Sequence, residues 1–172
     1  GTFYPVFASG TTGTKDLKFD DQASNGLSYV PSSSTLTATN FSGNASSANY
    51  ADLAEIYSSD ADYQPGTVLM FGGEQEVTIA NEYGTTRVAG VVSEFPAYCM
   101  NSNAEGVVVA LQGRVPVKVY GPVRKGDLMV ASKYKEGFAE AGPFIGGAVI
   151  GKALENKDTD GEGVIEVVVG RV

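Results

Sequence analysis

Hydrophobic and polar residues alternate along most of the chain, and glycine-containing turns interrupt the alternation at short intervals. Valines at positions 115, 117 and 119 alternate with Pro, Lys and Tyr, which predicts a strand with one buried and one solvated face. Such strands and turns repeat from residue 65 onward, as in β-sandwiches and β-barrels. The predicted strands are residues 67–71, 76–80, 87–93, 107–112, 115–120, 127–132, 148–154 and 164–169. The sequence therefore predicts a compact all-β head, a β-barrel or β-sandwich, over residues 67–172.

In the first 49 residues the alternation of hydrophobic and polar residues is limited to short runs. Short alternating runs, such as residues 17–19 and 36–38, are separated by turns rich in Ser, Asn and Gly. Strands this short cannot enclose a core, and an isolated hairpin is marginal in water. We therefore expect residues 1–49 to form a slender β-ribbon stem that intertwines with identical copies of itself. The alternative interpretation of this segment is a disordered linker.

Residues 50–66, between stem and head, have a different spacing. Tyr50, Leu53, Ala54 and Tyr57 follow the i, i+3, i+4, i+7 pattern of one helical face. This spacing predicts a short helical turn at the junction, in which Tyr50, Leu53 and Tyr57 pack around a two-fold or three-fold axis and fix the register between stem and head. The alternative is that the segment forms the first, irregular strand of the head.

Composition narrows the classes of function. The chain has 172 residues, 42% of them hydrophobic and 19% charged, as expected of a folded protein. Its net charge of −8 argues against binding to nucleic acid or to an anionic membrane surface. No apolar run approaches the ~18 residues of a membrane span, so we expect no membrane insertion. A single cysteine excludes an intramolecular disulfide.

The sequence contains few residues that could form a catalytic or metal-binding site. Histidine is absent, so no Ser–His or Cys–His nucleophile pair can form, and we predict neither an enzyme nor catalytic residues. Residues 158–162, Asp-Thr-Asp-Gly-Glu, are similar to the start of a calcium-binding loop. Val169 stands where that loop needs its final acidic ligand, so a solvated turn is the preferred interpretation. We predict no metal and no cofactor.

Several segments of the sequence, taken together, resemble those of a known protein family. They are SSTLTATNFSGNASSANYADLAEIYSSD, YQPGTVLMFGG, RVAGVVSEFPAYCMN, VALQGRVPVKVYGPVRKGDLMVAS and GAVIGKALE followed by GEGVIEVVVGRV. These are similar to the C-terminal regions of tail-fibre and virion structural proteins of tailed bacteriophages, especially myoviruses of marine cyanobacteria. The resemblance covers most of the chain from about residue 27. It implies a homotrimeric tail fibre, part of the virion, whose tip attaches to a host-surface glycan or an outer-membrane receptor.

The middle of the chain also resembles a domain of phage appendage proteins that cleave themselves and act as intramolecular trimerisation chaperones. For this alternative function, Asp52 and Glu55 are the acidic candidates for self-cleavage, and no nucleophile position can be matched. Three residues apart, the two carboxylates would share one face of the predicted helical turn and could act as an acid and a base.

Tyrosines near predicted turns are candidates for contact with the receptor, because their rings pack against sugars and their hydroxyls form hydrogen bonds. Tyr83 and Tyr134 are preferred among these, and Tyr63 and Tyr120 also lie near turns. Arg124 and Lys125 supply positive charge at a further turn, where acidic sugars could bind. The predicted function is therefore adhesion through the head of a structural fibre protein.

Overall fold

A computed structural model of the chain describes residues 6–8, 17–19, 28–38 and 51–170. The chain divides into two compact units, Gly1–Ser46 and Ser47–Val172. Within the described ranges the protein is all-β and contains no helix, so the predicted fold class is confirmed. The intertwined stem and the homotrimer stay predictions.

Short strands form two hairpins in the described part of the first unit. Their bounds are β1 (Val6–Ala8), β2 (Leu17–Phe19), β3 (Ser28–Val30) and β4 (Thr35–Thr37). β1 pairs with β2 and β3 pairs with β4, both antiparallel. Tyr29 and Leu36 lie opposite each other in the second hairpin, and both side chains are exposed. This cross-strand pair therefore keeps much of its apolar surface in contact with solvent.

Ten strands of the second unit belong to one sheet. They are β5 (Asp52–Tyr57), β6 (Val68–Phe71), β7 (Val77–Ile79), β8 (Val88–Val92), β9 (Tyr98–Met100), β10 (Val107–Tyr120), β11 (Leu128–Ala131), β12 (Ala139–Ala141), β13 (Gly151–Ala153) and β14 (Glu162–Val169). The longest is β10, with 14 residues, and every other part of the sheet is arranged around it.

Five of these strands close into a barrel. β10 pairs with β14, β14 with β13, β13 with β11 and β11 with β12, all antiparallel. A parallel pairing of Val119 with Ala139 joins β12 back to β10 and completes the ring. Val115, Val117 and Val119 are buried in the interior, as their alternation predicts. Side chains fill a barrel of this size, so its centre is a packed core and not a channel.

The remaining strands extend from the first half of β10 around a second core. β8, β6 and β7 follow β10 on one side, while β5 and β9 lie on the other. A parallel bridge between Ser59 and Val77 connects the chain just after β5 with β7. The buried side chains of this second core are Leu69, Val77, Ala89, Val92, Val107 and Val109. The long strand β10 thus contributes to both cores.

The helical turn predicted at the junction is wrong, because residues 52–57 form the strand β5. β5 runs antiparallel to β10, with Asp52 opposite Gly113 and Tyr57 opposite Val107. The alternative interpretation, a first strand of the head, agrees with the structure. Leu53 and Tyr57 are four residues apart, and that separation places two side chains on one face of a strand as well as of a helix. Apolar spacing alone could not distinguish the two.

The prediction of two separate strands at residues 107–112 and 115–120 is also wrong, since β10 continues without a break from Val107 to Tyr120. Gly113 has a φ of 114°, and a Cβ there would lie 2.1 Å from the carbonyl oxygen of Ala51. The glycine therefore permits the close approach of the chain entering β5. β9 and β12 were not predicted, because each has three residues and β12 consists of Ala-Glu-Ala, which has low strand propensity.

Candidate functional site

Four side chains from three separate parts of the chain meet at one surface, named here the tyrosine–lysine cluster: Tyr83, Tyr120, Lys133 and Tyr134. The rings of Tyr120 and Tyr134 stack, with centroids 5.3 Å apart and planes inclined by 28°. Lys133 Nζ lies 4.8 Å from the ring centroid of Tyr134 and 5.6 Å from that of Tyr83. Tyr134 is 64% exposed and Tyr83 is 43% exposed, so a ligand in solution can reach both.

The barrel positions most of the cluster. Tyr120 is the last residue of β10, and Lys133 and Tyr134 lie in the turn that follows β11. Tyr83 comes from the loop between β7 and β8. The N–H of Gly84, next to Tyr83, donates to the carbonyl oxygen of Ala131 at 3.1 Å and ties that loop to the end of β11. The two preferred receptor-contact candidates are thus brought together by a hydrogen bond between this loop and β11.

A buried carboxylate holds the turn that carries Lys133 and Tyr134. Glu140 on β12 is 6% exposed, and its Oε2 accepts hydrogen bonds from Ser132 Oγ at 2.8 Å and from the N–H of Lys133 at 3.0 Å. Ser132 Oγ accepts a further bond from the N–H of Tyr134 at 3.1 Å. Buried polar groups are costly unless they are paired, so this network favours one conformation of the turn.

Two lysines bring positive charge to the cluster and its neighbourhood. The side chain of Tyr134 raises the pKa of Lys133, with smaller contributions in the same direction from Glu140 and Tyr83. Lys133 therefore stays charged at neutral pH. Close by, Lys135 Nζ lies 4.6 Å from the ring centroid of Phe138, and its ammonium pairs with the Glu162 carboxylate. The rings give each ammonium a favourable cation–π contact.

Tyr63 contributes mainly to the fold. Its hydroxyl donates to Asp60 Oδ1 at 2.5 Å and accepts from the N–H of Ile79 at 3.2 Å, and its ring packs against the second core. Bonds from Tyr63 and then from Thr78 hold the pKa of Asp60 below its usual value. The hydroxyl of Tyr63 is thus already engaged within the protein.

Arg124 and Lys125 occupy an exposed turn that is held by other groups. The Arg124 guanidinium pairs with Asp158, and the N–H of Arg124 donates to Asp127 Oδ2 at 2.7 Å. The N–H of Lys125 donates to Asn156 Oδ1 at 2.8 Å. Both side chains are accessible, but their recorded partners belong to the turn and not to the tyrosine–lysine cluster.

Asp52 and Glu55 do not form the predicted acid–base pair. Residues three apart on a strand point to opposite faces, so the shared face expected of a helix is lost. Glu55 Oε2 accepts a bond from the Tyr57 hydroxyl at 2.8 Å. Asp52 is 5% exposed, and its Oδ2 has no hydrogen-bond partner among the described residues. It lines a cavity of about 310 Å³ to which Ser93 and Arg114 also contribute.

The predicted trimer-register residues have different surroundings. Leu53 is partly exposed and lines an apolar groove of about 680 Å³ with Leu111, Leu154 and Val168. Tyr57 packs edge-on against Phe71, with ring centroids 5.7 Å apart, beside the second core. Tyr50 lies outside the described residues. Leu53 is therefore the member of this set that the structure places at an accessible surface.

The acidic turn at residues 158–162 surrounds a lysine ammonium. Lys157 Nζ donates to the carbonyl oxygens of Gly121, Thr159 and Gly161 at 3.0, 2.6 and 2.8 Å. Carbonyl oxygens of this kind are ligands for hard cations, and here the chain's own ammonium uses them. Within the described ranges, no group of three or more His, Cys, Asp or Glu residues is arranged to hold a metal ion.

No protein-family model and no curated protein matches this chain. The resemblance to phage tail fibres accordingly stays a prediction from the sequence. Residues 51–170 and the shorter described ranges contain no helix that is long and apolar enough to cross a membrane.

Sequence reasoning missed two residues on which the cluster depends. Lys133 adjoins Tyr134 in the run Ser-Lys-Tyr-Lys of residues 132–135, and this alternation of aromatic and cation was a usable signal. Glu140 stands between Ala139 and Ala141, where an isolated acid among small apolar residues suggests burial. Its partners could not be found from the sequence, because they depend on the pairing of β11 with β12.

Proposed function

We propose that the chain is the distal region of a bacteriophage tail fibre. In this proposal it is a structural protein of the virion and not an enzyme. It forms a homotrimer and attaches to a glycan or an outer-membrane receptor on the host surface. The observation that carries the proposal is the exposed tyrosine–lysine cluster, which a closed barrel and a buried carboxylate hold in place.

The chemistry of the cluster suits adhesion. Tyrosine rings offer apolar contact area, their hydroxyls offer hydrogen bonds, and the ammonium of Lys133 offers charge. Because the turn is already ordered, binding loses little conformational entropy there. A shallow surface of this kind binds weakly, but three copies on one fibre raise the overall affinity through effective concentration.

Exposed apolar surface supports the homotrimer. Tyr29 and Leu36 are exposed in the first unit, and Leu53 and Val168 border the apolar groove of the second. Contiguous apolar patches of soluble proteins often mark surfaces that bind another protein. Identical chains are the occupants that the resemblance to trimeric fibres suggests, and a closed cyclic assembly would cover these surfaces equally in every copy.

We expect the substitution Tyr134→Ala to reduce the binding of fluorescently labelled protein to cyanobacterial host cells about ten-fold or more, because avidity multiplies the loss at each site. Phe144→Ala is the matched control, since Phe144 is 63% exposed and lies outside the cluster. Light scattering should show a trimer for both variants. Undiminished binding of the Tyr134 variant, or a monomeric parent protein, would contradict the proposal.

A second candidate function is self-cleavage by an appendage domain that serves as an intramolecular trimerisation chaperone. The buried carboxylate of Asp52 favours it, because an unpaired oxygen in a cavity with the Ser93 hydroxyl is costly for stability alone. Strained or unsatisfied polar groups of this kind are often kept at functional sites. Glu55, on the opposite face of β5, does not share that cavity.

Mass spectrometry of the full chain after expression distinguishes the two functions. Self-cleavage predicts a discrete cut upstream of residue 50 that disappears on Asp52→Asn, a change that preserves the shape of the side chain. Glu94→Gln is the control, because Glu94 lines the same cavity but is exposed. An intact parent chain after prolonged incubation would exclude the second function and leave the first.

A further inference from the structure

We propose that the ligand of this surface is an acidic oligosaccharide, which lies along a strip that extends the tyrosine–lysine cluster from Tyr83 to Lys118. The inference rests on the proposed function in adhesion and specifies the chemical class of the receptor. It also adds Lys118 and Lys135 to the contact residues.

The strip is continuous because Tyr120 and Lys118 share the outward face of β10. Val115, Val117 and Val119 point into the barrel, so the residues between them point outward. Two residues of strand separate Lys118 from Tyr120 by about 7 Å. On the neighbouring strand β14, Val164 lies opposite Lys118 and Glu162 lies opposite Tyr120. Lys135 reaches this region from the turn after β11 through its pair with Glu162.

Charge on the strip is unbalanced although the whole chain is acidic. Lys135 has a carboxylate partner. Within the described ranges, neither Lys118 nor Lys133 has a carboxylate oxygen within 4.0 Å. Lys118 Nζ donates instead to the neutral hydroxyl of Thr67 at 2.8 Å. Neither ammonium group therefore forms an ion pair within the protein, although the buried carboxylate of Glu140 acts on Lys133 from a greater distance. Both ammonium groups can form an ion pair with a bound anion.

The surroundings of Lys118 strengthen this argument. Partial burial lowers the pKa of Lys118, and the nearby positive charge of Lys135 lowers it further. A bound carboxylate would offset both effects, because it supplies the opposite charge to an ammonium that is partly withdrawn from water. The interaction should also be stronger than at a fully exposed lysine, where solvent screens the attraction.

Saccharide is favoured over other anions by the residues between the two lysines. The stacked rings of Tyr120 and Tyr134 lie between Lys118 and Lys133. Aromatic rings of this kind pack against the apolar faces of sugar rings and hydrogen-bond to sugar hydroxyls, while the two lysines would bind carboxylates on separate sugars. A long polyanion such as nucleic acid would extend beyond the strip and meet the repulsion of a chain with a net charge of −8, whereas an oligosaccharide of a few residues lies within the strip. An anionic membrane would meet the same repulsion over a larger area.

Isothermal titration calorimetry of the full chain tests the inference with a tetramer of galacturonic acid and the neutral tetramer of galactose. We expect the acidic tetramer to bind about ten-fold tighter in low salt, and the difference to shrink as salt screens it. Lys118→Gln should weaken binding of the acidic tetramer about five-fold and reduce the difference in affinity between the two tetramers. Lys152→Gln is the control, because Lys152 is exposed on β13 outside the strip.

Equal affinity for the two tetramers, or an unchanged affinity of the Lys118 variant, would overturn the inference. So would equally tight binding of a short polyphosphate, which would indicate attraction to charge without recognition of sugar. If neither tetramer binds while Tyr134→Ala still abolishes attachment to host cells, the ligand class is wrong and the adhesive function stands. If attachment is also insensitive to Tyr134, both proposals are wrong.

Discussion

Replacing Glu140 with alanine is expected to lower the free energy of unfolding by about 3 kcal/mol. The change leaves the Ser132 hydroxyl and the N–H of Lys133 without their acceptor, in a part of the barrel where Ser132 is itself buried. Attachment to host cells should fall as well, although no residue of the cluster is altered, because the turn carrying Lys133 and Tyr134 is no longer fixed. Denaturant unfolding and cell binding measure the two effects.

Glu140→Gln is the matched control for this experiment. Glutamine keeps the size of the side chain and one carbonyl oxygen, which can accept both hydrogen bonds from the turn. We expect it to cost about 1 kcal/mol or less and to retain most of the attachment. If the alanine variant were as stable as the parent, the turn would not depend on this carboxylate, and our account of the cluster's rigidity would be wrong.

The substitution Gly151→Ala is expected to cost about 3 kcal/mol or more, because it inserts a methyl group against backbone and not against a movable side chain. A Cβ at position 151 would lie 2.0 Å from the carbonyl oxygen of Val168 and 2.9 Å from the Cα of Val169. β13 would have to separate from β14, and that pairing is one of the joints that close the barrel. Thermal unfolding followed by circular dichroism measures the loss.

Gly146→Ala provides the comparison for Gly151. No heavy atom lies within 4 Å of a Cβ built at Gly146, apart from its own chain neighbours, so alanine fits there without displacement. We expect stability to change by about 0.5 kcal/mol or less in either direction. Equal destabilisation by the two substitutions would contradict this account, because the loss would then not depend on the contact between β13 and β14.

Much of the strand pattern could be predicted because the relevant signals are local. Strands predicted at residues 67–71, 76–80 and 87–93 correspond to β6, β7 and β8 within a residue or two. Each contains β-branched side chains, and a turn with glycine or asparagine lies close before or after it in the sequence. The same reasoning identified the all-β class. Local pattern was sufficient wherever one strand ended at a turn.

Features that depend on pairing between distant segments could not be predicted. β5 looked helical because its apolar spacing fits both structures, and its partner β10 is remote in sequence. Gly113 resembled a turn residue, although close approach of another strand is what requires it. The closure of the barrel depends on a single parallel pairing of Val119 with Ala139, for which the sequence contains no signal.

The residues of the candidate site also divide into those that local sequence could predict and those that depend on the tertiary fold. Tyr83 and Tyr134 could be selected one by one, because each lies in a polar turn, but their meeting around Lys133 depends on the tertiary fold. The predicted pairing of Asp52 with Glu55 is wrong for the same reason as the predicted helix. Residues three apart share a face of a helix but lie on opposite faces of a strand. Surface aromatics were thus easier to predict than acidic groups whose relation depends on geometry.

Strand β10 runs without interruption from the second core of the second unit to the barrel. Its first half pairs with β5, where the chain enters, and its last residue is Tyr120. Over its length of 14 residues, a distance on the order of 40 Å, no loop intervenes that could act as a hinge. The orientation of the stacked rings is consequently fixed relative to the entering strand. Identical chains joined upstream of β5 would present their tyrosine rings at set distances and angles. Such an assembly would select among cells by the spacing of the receptors as well as by the chemistry of each receptor.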